Sequence, residues 1–319
     1  MCHSIPMLEC TAMFKSSSVL TCLAALGCMS LSACQAISEP AVLKWSEPQF
    51  AGIPDEAKLG ELSGLTRSNV TPGIYWAIND GDNPAEIIAI DAQARTKAWY
   101  TVGGVRNIDW EDIANYRDKD RNYLAIADSG DNGGLRTDLF LHIVEEPAQL
   151  VDNGHISLVR TIRFQWPDGA RDTESLVADE RRRRFLLISK KRVPAEVFAL
   201  PFDAKDGDKP KLVTTLEGIA QPDEKTMNAK GDYGRYRAQI TGADISPDGQ
   251  WLAVLNYQQI NFFRLGGQAI PKMLRPVQTI TLPWLPQAEG IAFSSDGNSV
   301  FIGSEQSPTP VIRFDRIVQ

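Results

Sequence analysis

Beyond residue 34 the chain has no cysteine. All five, Cys2, Cys10, Cys22, Cys28 and Cys34, stand at or before that point of the 319 residues, so no disulfide framework supports the body. Histidine is almost as scarce, with only His3, His142 and His155. A zinc site and a Ser-His-Asp set both lack their usual supply of imidazole. Basic charge is in deficit, since 33 Lys and Arg against 40 Asp and Glu leave a formal charge of −7. That balance argues against nucleic acid as a partner, which would call for a basic stripe. After Cys34 no apolar run approaches the roughly 18 residues of a membrane helix, and no 3.6-residue pattern lasts beyond about two turns. A composition that is 43% hydrophobic and 23% charged excludes collagen-like, coiled-coil and disordered classes.

What the N-terminus does contain accounts for the cysteines. Lys15 precedes the apolar run Val19 to Met29, which has the length of a signal-peptide core, and the run leads to Leu31-Ser-Ala-Cys34. Small residues before a cysteine in this place match the bacterial lipobox, whose cysteine is acylated and becomes the mature N-terminus. The expected organisation is a lipoprotein signal peptide over 1–33, a lipidated tether over 34–41 and one folded domain over 42–319, with Met13 as an alternative start. The lipid bilayer is then a partner through Cys34. Because Gln35, not Asp, follows the cysteine, Gram-negative sorting rules point to the outer membrane, with the domain facing the periplasm.

Internal repetition sets the expected fold. Five segments share one grammar: Ser63-Gly-Leu-Thr, Glu111-Asp-Ile-Ala, Glu174-Ser-Leu-Val, Thr241-Gly-Ala-Asp and Glu289-Gly-Ile-Ala. Each is followed by a turn and a more apolar second strand, as in Ile74 to Asn79 or Trp251 to Asn256. Third and fourth strands follow in most units. Asp-Gly in Ser246-Pro-Asp-Gly and Ser294-Ser-Asp-Gly supplies the positive φ of tight hairpins. The first-strand starts are 48, 63, 67 and 48 residues apart. Four-stranded units at roughly this spacing predict an all-β chain folded as a single β-propeller. Five blades are predicted, six being the alternative. The last unit lacks a fourth strand and Val42-Leu-Lys-Trp-Ser lacks a partner, so an N-terminal strand is predicted to close the ring.

Polar residues recur where apolar strands begin and end. The first series is Ser63, Glu111, Glu174, Thr241 and Glu289; two residues earlier stand Glu61, Asp109, Asp172, Gln239 and Gln287. At the end of the second strand the series is Asn79, Asp128, Lys190, Asn256 and Glu305. Period-two alternation and antiparallel return would place all fifteen at one mouth of the propeller. Eight carboxylates then face one base, and so many carboxylates stay ionised together only with a cation or fixed donors. Oxygen ligands suit calcium better than magnesium, so a Ca²⁺ site is expected, with carboxylates bonded only to amides and water as the other reading. Glu111, Glu174 and Glu289 are the expected ligands, completed by Asn79, Asp128 or Asn256. Lys190 would face a bound anion, and Asp109 and Asp172 would act as bases or supports.

Other motifs are read more plainly. Asp118-Lys-Asp120-Arg-Asn122 lacks the glycine and glutamate of an EF-hand and reads as a hairpin turn. Asn79-Asp-Gly-Asp-Asn83 and Asp128-Ser-Gly-Asp-Asn132 imply a shared turn. Arg106, Arg136, Arg171, Lys191, Arg192, Arg235 and Arg237 are expected around the mouth, with 221–238, including Tyr233 and Tyr236, as a lid.

The strings Asp109-Trp-Glu-Asp-Ile-Ala, Ala127-Asp-Ser-Gly-Asp-Asn, Trp166-Pro-Asp-Gly-Ala-Arg-Asp-Thr-Glu-Ser-Leu, Ala243-Asp-Ile-Ser-Pro-Asp-Gly and Glu289-Gly-Ile-Ala-Phe resemble those of bacterial TolB-like and phytase-like β-propeller proteins, many of them exported. The resemblance covers residues 60 to 315. More distantly it extends to the gluconolactonase and regucalcin group, where acids at inner-strand starts hold a catalytic Ca²⁺; by position this implicates Glu111, Glu174 and Glu289. Ser63 and Thr241 depart from that pattern, and the histidines of paraoxonase-type lactonases are missing. Two functions are therefore expected. One is a Ca²⁺-dependent hydrolase of a small anionic ester, phosphoester or lactone; the other is a non-catalytic envelope module that binds a ligand or an envelope protein.

Overall fold

A computed structural model describes residues 43–228 and 234–317. Cys34 and its preceding apolar run lie outside the described residues, as does Tyr233 of the expected lid.

The alternation of short apolar runs with turn residues resolves into strands grouped by fours. β1 (Gln49–Gly52) stands alone in sequence. The first group is β2 (Leu62–Arg67), β3 (Ile74–Asn79), β4 (Glu86–Asp91) and β5 (Thr96–Gly103), paired antiparallel in that order. The second is β6 (Trp110–Asp118), β7 (Arg121–Asp128), β8 (Leu139–Glu145) and β9 (Gly154–Phe164). β10 (Thr173–Asp179), β11 (Arg184–Ser189), β12 (Ala195–Pro201) and β13 (Lys211–Leu216) form the third. The fourth is β14 (Ile240–Ile245), β15 (Trp251–Asn256), β16 (Gln259–Arg264) and β18 (Gln278–Thr281), with β17 (Met273–Leu274) lying instead beside β13. The fifth joins β19 (Gln287–Phe293), β20 (Ser299–Glu305) and β21 (Val311–Asp315) to β1, in the order β1-β21-β20-β19. Parallel pairing of β5 with β9 fuses the first two groups into one eight-stranded sheet.

The N-terminal segment pairs with the C-terminal strand over a longer stretch than the sequence suggests. Strand pairing to β21 runs over Gln49–Gly52, and the earlier stretch adds the Trp45–Arg316 bridge, the bonds from Ser46 N to Asp315 O and from Ile317 N to Lys44 O, both at 2.7 Å, and one from Asp315 N to Ser46 Oγ at 3.0 Å. Pro48, which has no N–H to donate, falls between the two.

The first strands of the groups contact one another in the cycle β2, β6, β10, β14, β19 and back to β2. Their approach is close: a Cβ on Gly242 would collide with the Glu289 carbonyl oxygen. Hydroxyls tie the same strands together, Ser63 Oγ donating to Glu111 O and Thr241 Oγ1 to Ala288 O, both at 2.6 Å. Five apolar clusters fill the spaces between neighbouring groups. Trp76 and Trp110 meet between the first and second, Phe164 and Phe185 between the second and third, and Leu62 and Phe301 between the first and fifth. Each large side chain buried this way contributes about 1.5–3 kcal/mol. The result is an all-β, propeller-like fold. Helix is confined to α1 (Glu224–Met227) and two single 3₁₀ turns among the described residues. No helix among them is long and apolar enough to cross a membrane.

Candidate functional site

One irregularity recurs in all five first strands. β2 pairs Leu62 with Asn79 and then Gly64 with Ile78; β6 pairs Trp110 with Asp128 and then Asp112 with Ala127. The same skip separates Thr173 from Ser175, Ile240 from Gly242 and Ala288 from Gly290. The residue left over is Ser63, Glu111, Glu174, Thr241 or Glu289. Each member of the first polar series is therefore the extra residue of a β-bulge, a device that locally re-aims a side chain.

The pairings also correct the second-strand series. The partner of the residue before it is Asn79, Asp128, Ser189, Asn256 or Ser304. Lys190 and Glu305 stand one residue further along, level with Asp80, Ser129 and Tyr257. Backbone bonds agree, since Asp80 N donates to Glu61 O at 2.9 Å as Lys190 N does to Asp172 O at 3.0 Å. Asp80 and Tyr257 thus belong to the mouth and were missed by counting residues. The signal that marks Asp80 is the repeated turn string: Gly81 and Gly130 both press against Asp109, and a Cβ on Gly130 would also strike Glu111 Oε1.

Glu111 is the meeting point of the acids. One carboxylate oxygen from each of Asp80, Asp109 and Glu111 lies within 4.8 Å of the others, and the same is true of Glu111, Asp172 and Glu174. In the second set, Glu174 pairs with Lys190, and Asp172 with Lys191 at 2.6 Å while accepting from Asp131 N at 3.0 Å. In the first set the Asp80 carboxylate accepts from Gly81 N at 2.6 Å, with no ion pair to it among the described residues. Glu111 is 4% exposed, and no hydrogen bond or ion pair reaches its carboxylate among the described residues.

The remaining candidates are engaged elsewhere. Glu289 joins neither set; it accepts from Tyr257 OH at 3.1 Å and from Gln287 Nε2 at 3.3 Å. Asn79 Oδ1 accepts from Glu61 N, and Asn256 Oδ1 from Gln258 N and Gln259 N. Asp128 is fully buried against Arg136 at 2.7 Å, with His142 Nε2 at 3.5 Å. The expected rim of bases is largely paired as well, Arg171 bonding Asp168 and Glu196. Asp118 and Arg121 pair across a two-residue turn, so that acidic string is a hairpin.

Proton affinity follows from this crowding. Burial first, then Asp80, pushes Asp109 up to about 6. Burial and then Asp80 likewise push Glu305 up to about 7. Glu111, Glu289 and Asp80 move in the same direction, burial being the largest cause in each, followed by Asp80 for Glu111 and by Glu305 for Glu289. An apolar site of converging acids holds protons unless positive charge enters it.

These features define an all-β, propeller-like protein with a buried acidic mouth. No family model and no curated protein matches the chain. Among solved structures it is similar to U3-55K at 10% identity, covering 80% of this chain and 68% of that one with a TM-score of 0.40. The strand pairings, not this likeness, carry the architecture.

Proposed function

We propose that the chain is a five-bladed propeller, closed by β1 on β21 and tethered to the cell envelope through acylated Cys34. Its mouth binds a divalent cation, calcium, and hydrolyses a small anionic ester, phosphoester or lactone. The observation that carries this reading is Glu111, a buried carboxylate with no hydrogen-bond or ion-pair partner among the described residues, set between two groups of acids. Burying an unpaired carboxylate is costly unless a cation offsets it. The ligand set favoured by the register is Glu111, Asp109 and Asp80, because Glu174 is balanced by Lys190 and Glu289 is bonded by Tyr257. All are hard oxygen donors of the kind calcium takes. When bound, calcium would supply polarisation of a substrate oxygen. Lys190 orients the anion from inside the ring, and Asp172, fixed by Asp131 N, holds or accepts the proton.

A non-catalytic binding module is the second reading. It is favoured by the pairing of Arg136, Arg171 and Lys191 with carboxylates, which leaves these three bases committed.

The test is a thermal-shift titration with Ca²⁺ after chelation, since a ligand bound only by the native state raises the melting temperature. Glu111→Gln should abolish the shift. A wild-type protein with no shift, or a variant that keeps it in full, overturns the cation site.

A further inference from the structure

Next to the acidic mouth lies a cavity of a different character, about 630 Å³ in volume. It opens between the β15–β16 turn, the segment entering β19 and the β20–β21 loop. The buried Leu282 and Leu285 line it, along with Pro283, Pro286, Pro308 and Pro310. Trp284 also lines it and is 75% exposed. A large aromatic side chain left to water beside a concave apolar wall is the usual mark of a surface that a ligand covers. The volume suits a small molecule.

Two residues tie the cavity to the mouth. Tyr257 lines it while its hydroxyl donates to Glu289, and Gln306 lines it while its amide donates to Gln287, itself bonded to Glu289 and Glu305. Arg237 is the charged group in the lining. Leucine, proline and tryptophan make up seven of the thirteen lining residues, with Gln258, Thr281 and Ser307 beside the three polar residues just named.

We infer that this cavity binds a planar aromatic group bearing an anion. The ring lies on Trp284 and the prolines, and the anionic end lies towards Arg237. The inference rests on the proposed reading in one respect: it names aryl esters as the substrate class of that mouth.

The probe is 2-naphthyl phosphate, with inorganic phosphate as the control, each titrated calorimetrically into the protein in chelator and then in excess Ca²⁺. In chelator the naphthyl compound should bind at least roughly tenfold more tightly than phosphate, and Trp284→Ala should lose about that factor while Trp284→Phe recovers most of it. Trp284 is exposed, so both variants should fold, which retained far-ultraviolet dichroism checks. Equal affinity for the two probes, or unchanged affinity in Trp284→Ala, overturns the inference. Naphthyl binding that persists in chelator without any Ca²⁺-induced thermal shift sinks the cation site and leaves the cavity standing.

Discussion

The acidic mouth makes the stability of the metal-free protein fall as pH rises through mild acidity. Carboxylates in an unfolded chain release their protons near pH 4. In the folded chain Asp109 holds its proton to about 6 and Glu305 to about 7, with Glu111, Glu289 and Asp80 displaced the same way. Folding then takes up protons between these limits, so its free energy is most favourable below about pH 4 and weakens up to about pH 7. One proton held only by the folded state is worth about 1.4 kcal/mol per pH unit. Asp109 and Glu305 together would set an upper bound near 2.8 kcal/mol between pH 5 and 6. Both are partly open to solvent, and screening reduces this to about 1–1.5 kcal/mol. For a domain of this size that is a fall of roughly 2–6 °C in melting temperature. Asp91 and Asp296 have lowered values, so their contributions are complete above about pH 4 and do not offset the trend. The assay is differential scanning calorimetry in chelator from pH 5 to 7.5 at constant ionic strength. Asp109→Asn, which is neutral throughout, should flatten the slope, and excess Ca²⁺ should remove or reverse it. A melting temperature that is level or rising in chelator, or an unchanged slope in Asp109→Asn, refutes the reasoning.

Two further outcomes are expected. Arg67 bonds Asp244 at 3.2 Å and Ile245 O at 3.1 Å, so Arg67→Met strands a buried carboxylate. It should cost about 3 kcal/mol in urea unfolding at pH 8 and less at pH 5, where burial already favours the protonated acid; equal losses at both values would contradict this. Cys34→Ala should move the protein from the membrane to the soluble fraction on cell fractionation, and an unchanged distribution would remove the lipid tether.

Much of the architecture was legible because strand grammar is local. Polarity at Glu111, Glu174 and Glu289, beside runs as apolar as Ile126 or Leu176, marked the mouth without any structure. The bulge was not legible, since the first strands are buried on both faces and offer no alternation whose phase an extra residue would shift. Without the pairings the second-strand series slipped by one between groups, which put Asn79, Asp128 and Asn256 where Asp80, Ser129 and Tyr257 stand. A one-residue slip exchanges the faces of a strand, so the error concerned side-chain placement and not the elements. Ion pairing was equally hidden: Lys190 and Lys191 are adjacent in sequence, yet one faces Glu174 and the other Asp172.

The sheet shared by β1 and β21 sets a timetable for synthesis. Between Gly52 and Val311 the ribosome must add 311 − 52 = 259 residues before β1 meets its partner. At roughly 5–20 residues per second this takes about 13–50 s. Throughout that interval β1 offers unpaired backbone groups, as does the edge of every nascent sheet, to whatever other chain is near. A ribosome stalled anywhere before β21 therefore leaves the backbone groups of β1, a strand made among the first of the fold, without their partner.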